Sequence, residues 1–429
     1  MPTVETPPNP VHDSLDCSTS LDGATTVSPV EAGAMTRRSL LHHLSVGAVT
    51  VVVAGIGLGS YRVFDNGVLD AGDGAPYDAW VNWRADRTPL GAVAAAILAA
   101  NPHNTQPWIF HVGADGINLY ADPTRRTGTL DALNREHHIG LGCALENLVL
   151  ALAARGYLAS VTLLPEAADP NHVATVAMGP PRVAGVGSSA GTGGALHDAI
   201  GDRRSNRGPY TSAAITTAVT EALQVEAGNL DGVSVRWFTT ASDRAAMGAL
   251  IIEATQAIVA DDQQSTDSFA WFRNNRDDID THMDGLTLDA QGMTPVVLAL
   301  AKILPATSRT AGDTFWLDQT RTVHTATAAA YGVITVADVQ DSVLQLTGGR
   351  LLQSIHLAAT VQGLALQHMN QVTERVDREA SLGQPATFAA RLDALLAQPG
   401  QHVLSTFRVG HPARAARLSP RRPVRNVTR

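Results

Sequence analysis

Residues 140–161 read GLGCALENLVLALAARGYLASV, an almost wholly apolar run. The pattern predicts a helix from Glu136 to Arg155, closed by Gly156, and a helix that is apolar on nearly every side belongs at the centre of a domain. Residues 350–369, RLLQSIHLAATVQGLALQHM, predict a second long helix of similar length and small-residue content, also with a glycine near its end. The two runs predict a weak internal duplication, in which two α+β halves pack as a pseudo-dimer.

The composition divides the rest of the chain into segments of different character. Residues 1–34 are rich in Pro, Ser and Thr and contain neither Lys nor Arg, which predicts a disordered tail. The stretch AGVGSSAGTGG at 184–194 predicts a flexible linker. The predicted halves are residues 80–183 and 195–429, and an insert at about 260–318 has no counterpart in the first half.

The overall composition argues against several classes of protein. The 429 residues are 45% apolar and 17% charged, which is enough to bury a core and too apolar for general disorder. The formal net charge of -9 argues against a nucleic-acid-binding protein. Two cysteines cannot build a disulfide framework, and Glu136-His137-His138 lacks the helical spacing of a zinc site. We therefore expect neither a metal nor a nucleic-acid partner.

Residues 35–62 have the layout of a twin-arginine export signal. Arg37 and Arg38 precede an uncharged apolar stretch from Leu44 to about Ser60. Because this stretch is near the lower limit for crossing a bilayer, an uncleaved membrane anchor is the alternative. Either interpretation implies contact with the twin-arginine translocon or the membrane and a location on the outer side of the cytoplasmic membrane. Without a working signal the protein would stay in the cytoplasm.

Shorter patterns predict the remaining elements. Thr88 is predicted to cap a helix that reaches about Ala100, and Ser242 to cap one that reaches about Val259. A further helix is predicted at 211–225. The predicted strands are residues 108–112, 117–121, 160–164, 173–178, 233–239 and 331–336.

A stiff polar corner follows the first of these helices, where residues 100–110 read ANPHNTQPWIF. Two prolines restrict the loop, so that His103, Asn104 and Gln106 offer donors and acceptors in fixed directions. A flat heteroaromatic ring with alternating carbonyls and ring nitrogens needs such a neighbour. The alternative is an ordinary helix end and strand start. The sequence favours that alternative for Asn101 and Trp108 and leaves Asn104 and Gln106 open.

Two arginine-rich segments could hold an anion. Residues 202–207, DRRSNR, precede a predicted helix, and guanidinium groups with a hydroxyl at a helix entry suit a phosphate. The C-terminal segment 407–429 carries seven arginines and no acid, and its Arg421-Arg422 pair could close on the same phosphate. The alternatives are a solvated turn and a solvated tail, although Phe407 and Val409 indicate that the tail is partly docked.

The insert at about 260–318 contains DSFAWFRNNRDDIDTHMDGLTLDAQGM, in which Phe269, Trp271 and Phe272 adjoin a strongly charged stretch. An apolar wedge on a polar segment is typical of a lid. An extra helical hairpin without a gating role is the alternative.

Taken together, these segments resemble the nitroreductase family of FMN-dependent oxidoreductases, and in particular its duplicated, monomeric Acg-like branch. The matching pieces lie between about residue 84 and residue 427. They are ILAANPHNTQPWIFHV, DALNREHHIGLGCALENLVLALAARG, RRSNRGPY, GGRLLQSIHLAATVQGLAL and FRVGHPARAARLSPRRPV. The resemblance implies an α+β fold, a nitroreductase-like three-layer sandwich that is internally duplicated as a pseudo-dimer, within a monomer.

The resemblance also implies one FMN per chain. The second half lacks an equivalent of ANPHNTQPW, and WRADRTPL at 83–90 only partly mimics the basic turn, so one complete site is expected between the halves. The phosphate and ribityl chain would be held by Arg203, Ser205 and Arg207 with Arg421 or Arg422. The isoalloxazine ring would be faced by Pro102, His103, Asn104 and Gln106. No catalytic residue is assigned, because the chemistry belongs to the cofactor.

Two functions are compatible with such a site. In the first, NAD(P)H reduces the flavin by hydride transfer, and the electrons pass to a small nitroaromatic or quinone-like acceptor. In the second, the chain binds or stores FMN without turnover, because the lid covers the flavin.

Overall fold

The computed structural model describes residues 72–179, 192–228 and 230–429. The predicted disordered tail, the twin-arginine segment and most of the predicted linker lie outside these residues.

The first half builds a four-stranded antiparallel sheet beside one long helix. Strands β1 and β2 form a hairpin, as the sequence predicts, and the long helix α3 separates them from β3 and β4. The elements in chain order are α1 (Asp78–Asn82), α2 (Pro89–Ala96), β1 (Trp108–Val112), β2 (Gly116–Ala121), α3 (Arg135–Ala154), β3 (Ala159–Leu163) and β4 (His172–Met178).

The second half repeats this arrangement and adds the insert between its first two strands. It begins with α4 (Thr192–Ala199), α5 (Thr217–Ala227), β5 (Val233–Phe238) and α6 (Ala241–Ala260). The insert follows as α7 (Asp262–Phe269), β6 (Phe272–Arg273), α8 (Arg276–His282), β7 (Leu286–Thr287), α9 (Pro295–Ile303) and α10 (Arg309–Gln319). The chain ends with β8 (Ala330–Val336), α11 (Ser342–Val361), β9 (Ala365–His368), α12 (Gln371–Ser381), α13 (Thr387–Leu396) and β10 (His402–Gly410).

The two large sheets have the same topology. The strand order is β1-β2-β4-β3 in one and β5-β8-β10-β9 in the other, with antiparallel neighbours throughout. Numbered within its own half, each order is first, second, fourth, third. In both halves the long helix joins the second strand to the third. Shared topology is what a duplicated α+β unit requires.

The long helices α3 and α11 cross at matching positions. Gly142 and Gly349 are each the eighth residue of a 20-residue helix, and Ile139 and Leu346 are each the fifth. A methyl group on Gly142 would lie 2.1 Å from the carbonyl oxygen of Leu346, and one on Gly349 would lie 2.2 Å from that of Ile139. Each glycine therefore allows the backbone of the other helix to approach, as across a two-fold axis.

Polar side chains form reciprocal contacts of the same kind one turn further along both helices. Gln353 Nε2 donates to Asn147 Oδ1 at 2.8 Å, and Ser354 Oγ donates to Glu146 Oε1 at 3.2 Å. Residues 12 and 13 of one helix thus pair with residues 13 and 12 of the other. Although α3 has the length and composition of a membrane span, 72% of its most apolar window is buried within the protein. It is a core helix, as its sequence predicts.

The C-terminal segment joins the second half to the first. Phe110 N donates to Val427 O at 2.7 Å, and Arg429 N donates to Phe110 O at 2.9 Å, so the chain end extends the first sheet beside β1. The prediction of a docked segment is confirmed.

Several predicted boundaries are wrong for identifiable reasons. The helix predicted at 350–369 ends at Val361, because Gly363 takes a left-handed conformation and the following residues form β9. The oxygen that caps α6 belongs to Thr240, not Ser242. Helix α2 ends at Ala96 rather than near Ala100, and the helix predicted at 211–225 begins at Thr217.

Candidate functional site

A cavity of about 220 Å³ lies where the two halves and the insert meet. The first half contributes the polar corner and one side of α3, and the second half contributes the basic turn and the start of α12. The predicted site residues that line the cavity are Pro102, His103, Ser205 and Arg207. The other five predicted residues are not part of its lining, and the structure gives them partners in the wall behind it.

The polar corner has an unusual backbone. His103, Asn104 and Gln106 have φ angles of 46°, 55° and 53°, in the left-handed region that non-glycine residues seldom occupy. Such conformations persist only where the surroundings hold them in place, and they are concentrated at functional sites. The corner is thus a shaped segment rather than an ordinary helix end.

Hydrogen bonds of Asn104 hold that shape. Its amide nitrogen donates to the carbonyl oxygens of Pro420 at 2.9 Å and Gly285 at 3.2 Å, and its oxygen accepts from Arg421 at 2.5 Å. Asn104 therefore links the corner to the C-terminal segment and to the insert.

Gln106 has an equivalent role on the other side of the corner. Its amide nitrogen donates to Met283 O at 2.8 Å, and its oxygen accepts from Arg422 N at 2.8 Å. The Arg422 guanidinium donates to Gln106 O and Asn426 O. The structure thus brings the corner and the Arg421-Arg422 pair together, as predicted, but their contacts here are with each other. Direct contact with a cofactor stays a prediction for these residues.

The basic turn faces the corner from the second half. Arg207 lines the cavity, and its guanidinium donates to Ala290 O at 3.3 Å. Burial, followed by the Arg207 charge, lowers the pKa of His103 to about 4, so the imidazole is neutral at pH 7. His103 and Arg207 line the same cavity, one from each half.

The guanidinium groups of Arg203 and Arg421 lie behind the cavity wall, at the carbonyl groups that follow the end of α2. Arg203 Nη2 donates to Leu98 O at 2.9 Å, and Arg421 Nη2 donates to Ala99 O at 3.3 Å. The Trp80 ring also contacts two guanidinium groups. That of Arg204 lies 3.9 Å from the ring centre, and that of Arg421 lies 4.8 Å from it. Cations at a helix C-terminus are favourable, so these arginines also hold the corner in position.

This arginine cluster has no acidic partner among the described residues. Neither Arg203, Arg207 nor Arg421 forms an ion pair with a carboxylate there, and the Nε atoms of Arg203 and Arg421 have no hydrogen-bond acceptor. Burial lowers the pKa of Arg203 to about 9 and that of Arg207 to about 10. Buried cations without a counter-ion are costly, so an anionic ligand would stabilise this region.

Other polar atoms of the lining also lack a partner within the described ranges. These atoms are both ring nitrogens of His324, His368 Nε2 and Gln371 Oε1. Since buried polar groups are nearly always hydrogen-bonded, this donor and acceptor set fits a polar ligand with ring nitrogens and carbonyl groups. The lining and the arginine cluster together fit a flavin mononucleotide.

The insert covers the cavity with aromatic side chains. The rings of Phe269 and Phe272 are parallel, with an angle of 5° between their planes and 6.2 Å between their centres, and both line the cavity. Trp271 does not line it. Its ring instead lies beside Arg125 at 5.8 Å and Arg273 at 5.6 Å. The predicted apolar wedge is therefore formed by the two phenylalanines without the tryptophan.

Hydrogen bonds join the insert to the first half. His103 Nε2 and Ser268 Oγ are 3.0 Å apart, and Thr129 Oγ1 donates to Asp267 Oδ2 at 2.6 Å. Arg125 forms an ion pair with the buried Asp284 at 2.8 Å. These contacts tie the insert to the first half near residues 267 and 268 and again at Asp284.

Sequence reasoning missed a pair of carboxyl groups in the cavity wall. Glu136 lies on α3 of the first half and Glu374 on α12 of the second, and both are buried and line the cavity. Burial and the neighbouring Glu374 raise the pKa of Glu136 well above its ordinary value. Burial raises the pKa of Glu374 to about 8, although its hydrogen bond with Glu136 opposes that rise. A proton on one of the two carboxyl groups would allow them to hydrogen-bond to each other.

Sequence comparisons relate the chain to named mycobacterial proteins. It is 30% identical over 178 residues to "Putative NAD(P)H nitroreductase Rv3131" of Mycobacterium tuberculosis, which covers 41% of this chain and 48% of the relative. It is 34% identical over 89 residues to "Putative NAD(P)H nitroreductase acg" of the same organism, covering 21% and 27%. The chain spans about half the length, or less, of these curated relatives. No family model matches the chain.

Solved structures of nitroreductases align with about half of the chain. FMN-dependent nitroreductase NfnB from Mycobacterium smegmatis, in complex with NADPH, is 14% identical with a TM-score of 0.34, covering 55% of this chain and 97% of that one. FMN and NADPH-dependent nitroreductase NfnB from a Sphigopyxis strain is 18% identical with a TM-score of 0.35, covering 54% and 96%.

The sequence relatives agree with the resemblance carried by the corner, the basic turn and the C-terminal segment. The chain is thus similar to nitroreductase-family proteins of the Acg-like branch.

Proposed function

We propose that the chain binds one FMN in the cavity between its halves and is an oxidoreductase that uses NAD(P)H. The observation that carries this proposal is the combination of Arg207 and Ser205 in the cavity wall with an arginine cluster that lacks acidic partners. A phosphate would supply the missing negative charge. The names of the sequence relatives support NAD(P)H as the reductant.

Different residues would bind the phosphate end and the ring system of FMN. Arg207 and Ser205 would hold the phosphate and ribityl chain, with Arg203 and Arg421 adding positive charge from behind the wall. Pro102 and His103 would face the ring system, on a corner that Asn104 and Gln106 keep rigid. When bound, FMN supplies the capacity to accept a hydride and release its electrons. The protein's part is to bind, orient and exclude water.

The duplication accounts for a single site. The matching sheets and helix crossings support two halves of common origin, whereas only the first half carries the corner and only the second carries the complete basic turn. The first half's nearest equivalent of that turn includes Arg84, which pairs with the exposed Asp198, and Arg87, which is exposed. A monomer with one flavin follows, with nitroaromatic or quinone-like compounds as electron acceptors.

The closed insert favours a second candidate function, FMN binding or storage without turnover. Phe269 and Phe272 line the cavity from the insert, and Ser268 is hydrogen-bonded to His103. If the insert stays closed, the flavin would be held but not reduced. An insert that opens would instead make it a gate.

Anaerobic mixing of the purified flavoprotein with NADPH separates the two functions. Rapid bleaching of the flavin absorption supports the oxidoreductase, and an unchanged spectrum supports storage. The double variant Phe269→Ala/Phe272→Ala, or deletion of residues 262–300, should restore bleaching if the insert is the barrier. A protein that purifies without flavin and binds none on addition of FMN would contradict both functions.

The N-terminal segment is proposed to direct the protein to the outer side of the cytoplasmic membrane. The support is the Arg37-Arg38 pair before an apolar stretch. Replacement of both arginines by lysine should retain the protein in the cytoplasm in cell fractionation, and an unchanged distribution would contradict the proposal.

A further inference from the structure

The Glu136 and Glu374 carboxyl groups meet in the cavity wall at the boundary between the halves. Each is more than 90% buried, at 7% and 8% relative exposure, and each has one carboxyl oxygen that no N–H or O–H of the described residues reaches. Gln371, one turn before Glu374 on α12, is 5% exposed and also presents an unpartnered oxygen in the cavity lining. Glu136 and Glu374 are not used in holding the proposed flavin.

The charged surroundings keep a proton on the pair. Asp131 and Asp377 add negative charge from the turn before α3 and from α12, and both raise the pKa values of the pair. Arg135 does not neutralise Glu136 or Glu374, because it forms a buried bidentate ion pair with Asp377 and donates to Val403 O. The carboxylate of Asp131 accepts from the backbone nitrogens of Glu136 and His137. A net acidic cluster of this kind favours a shared proton.

From this geometry we infer that the Glu136–Glu374 pair is the proton donor to an oxygen-bearing acceptor reduced in the cavity. The inference rests on the proposed oxidoreductase function and applies to those proposed acceptors whose two-electron reduction creates an O–H bond, such as quinones. A quinone gains two electrons and one hydrogen as the hydride that NAD(P)H ultimately supplies. The second hydrogen is a proton that leaves the carboxyl O–H and forms the hydroxyl. The carboxylate left behind regains its proton from water.

The substitution Glu374→Gln tests this role, because glutamine fills the same space and can hydrogen-bond to Glu136 but cannot give up a proton. General acid catalysis is worth roughly a hundredfold or more. After reduction of the enzyme by NADPH, reoxidation by a quinone at pH 7.5 should slow by about that factor, whereas reoxidation by ferricyanide, which takes electrons without protons, should not change. Equal slowing with both acceptors, or with neither, would overturn the inference.

Glu379→Gln is the matched control. Glu379 is buried on the same helix, accepts a hydrogen bond from Phe388 N at 3.1 Å and does not line the cavity. The ratio of quinone to ferricyanide rates should be the same in this variant as in the wild type. A ratio lowered as much as in Glu374→Gln would assign the effect to the helix as a whole and overturn the inference.

Infrared spectroscopy of the flavin-free protein provides a readout besides activity. At pH 7.5 the wild type should show the C=O stretching band of a buried protonated carboxyl group, and the variant Glu136→Gln/Glu374→Gln should lack it. Absence of the band from the wild type would overturn the inference even if the enzyme is active. If NADPH fails to reduce the flavin while the band is present, the proposed function fails but the shared proton stands.

Discussion

The centre of the molecule and its cavity differ in symmetry. At the centre, α3 and α11 contact each other with matching residues, and the two sheets share one strand order. Around the cavity, the polar corner comes from the first half, and the complete basic turn and the insert come from the second. The comparison teaches that the packing between the halves is symmetric, whereas the proposed binding site depends on what each half has alone.

The largest expected effect concerns the symmetric part. Gly349→Ala places a methyl group 2.2 Å from Ile139 O, and Gly142→Ala places one 2.1 Å from Leu346 O, so in each case a helix backbone must move. We expect each substitution to lower the free energy of unfolding by roughly 3 kcal/mol, measured by urea denaturation.

Gly194→Ala is the control for these two variants. Gly194 lies in α4, and a methyl group there would meet nothing within 4 Å. This change should be neutral or stabilising by up to about 1 kcal/mol. A large loss at only one of the two crossing glycines would contradict the symmetric contact.

The next largest effect concerns the cavity, to which the two halves contribute different residues. Arg207→Ala removes the cavity's arginine from the proposed phosphate and should weaken FMN binding by on the order of 2 kcal/mol, or about thirtyfold in Kd. Fluorescence titration of flavin-free protein measures it. Folding should be little affected, because the hydrogen bond that the Arg207 guanidinium forms with the described residues is a long one, 3.3 Å to Ala290 O.

Arg87→Ala is the matched control from the other half. Arg87 is an exposed residue of the segment that partly mimics the basic turn. Its removal should leave the Kd for FMN unchanged. Equal weakening by both variants would contradict the single asymmetric site.

The carboxyl pair predicts a pH dependence of stability that belongs to the boundary between the halves. The pKa of Glu374 rises from 4.5 to about 8 on folding, so the folded protein keeps a proton that the unfolded chain loses. This contribution to stability is complete below pH 4.5 and is lost as the pH rises toward 8. One proton corresponds to a slope of at most about 1.4 kcal/mol per pH unit.

The difference between the denaturation results of wild type and Glu374→Gln over pH 6.5 to 8 isolates this slope. The buried histidines, whose pKa values are lowered from 6.5 to about 4 in His103 and about 3 in His137 and His368, add a slope of opposite sign near pH 6.5, but they are present in both proteins and cancel in the difference. Glu374→Gln should remove the contribution of Glu374, and Glu379→Gln should retain it. Parallel slopes for wild type and Glu374→Gln would show that Glu374 holds no extra proton.

The smallest expected effect concerns the contact that holds the insert closed. Ser268→Ala removes the hydroxyl bonded to His103 and should destabilise the closed insert by about 1 kcal/mol. Flavin reduction by NADPH should then be about fivefold faster if opening limits the rate. Stopped-flow absorbance measures the rate, and a slower reduction would contradict a restraining role for this bond.

The sequence predicts the local elements of this fold better than it predicts which elements contact each other. The hairpin, the long helix α3 and the docked C-terminus follow from apolar patterns and turn residues that act locally. The boundary at Gly363 was missed because the residues after it are as apolar as the helix itself, so hydrophobicity alone does not mark the change from helix to strand.

The candidate site shows the same limit. The corner and the basic turn were predicted to face one cavity, and His103 and Arg207 do so. The Glu136–Glu374 pair could not be predicted, because its members lie in unrelated stretches and only the packing of α3 against the second half brings them together. Trp271 was assigned to the wedge on composition, whereas its two arginine neighbours hold it outside the cavity.

The measurement that tests the central claim most directly is the number of flavins per chain. FMN released by denaturation of the purified, flavin-saturated protein can be quantified by absorbance against the protein concentration. One asymmetric site between two related halves predicts a ratio near one. A ratio near two would show that the second half also completes a site, and would contradict the account.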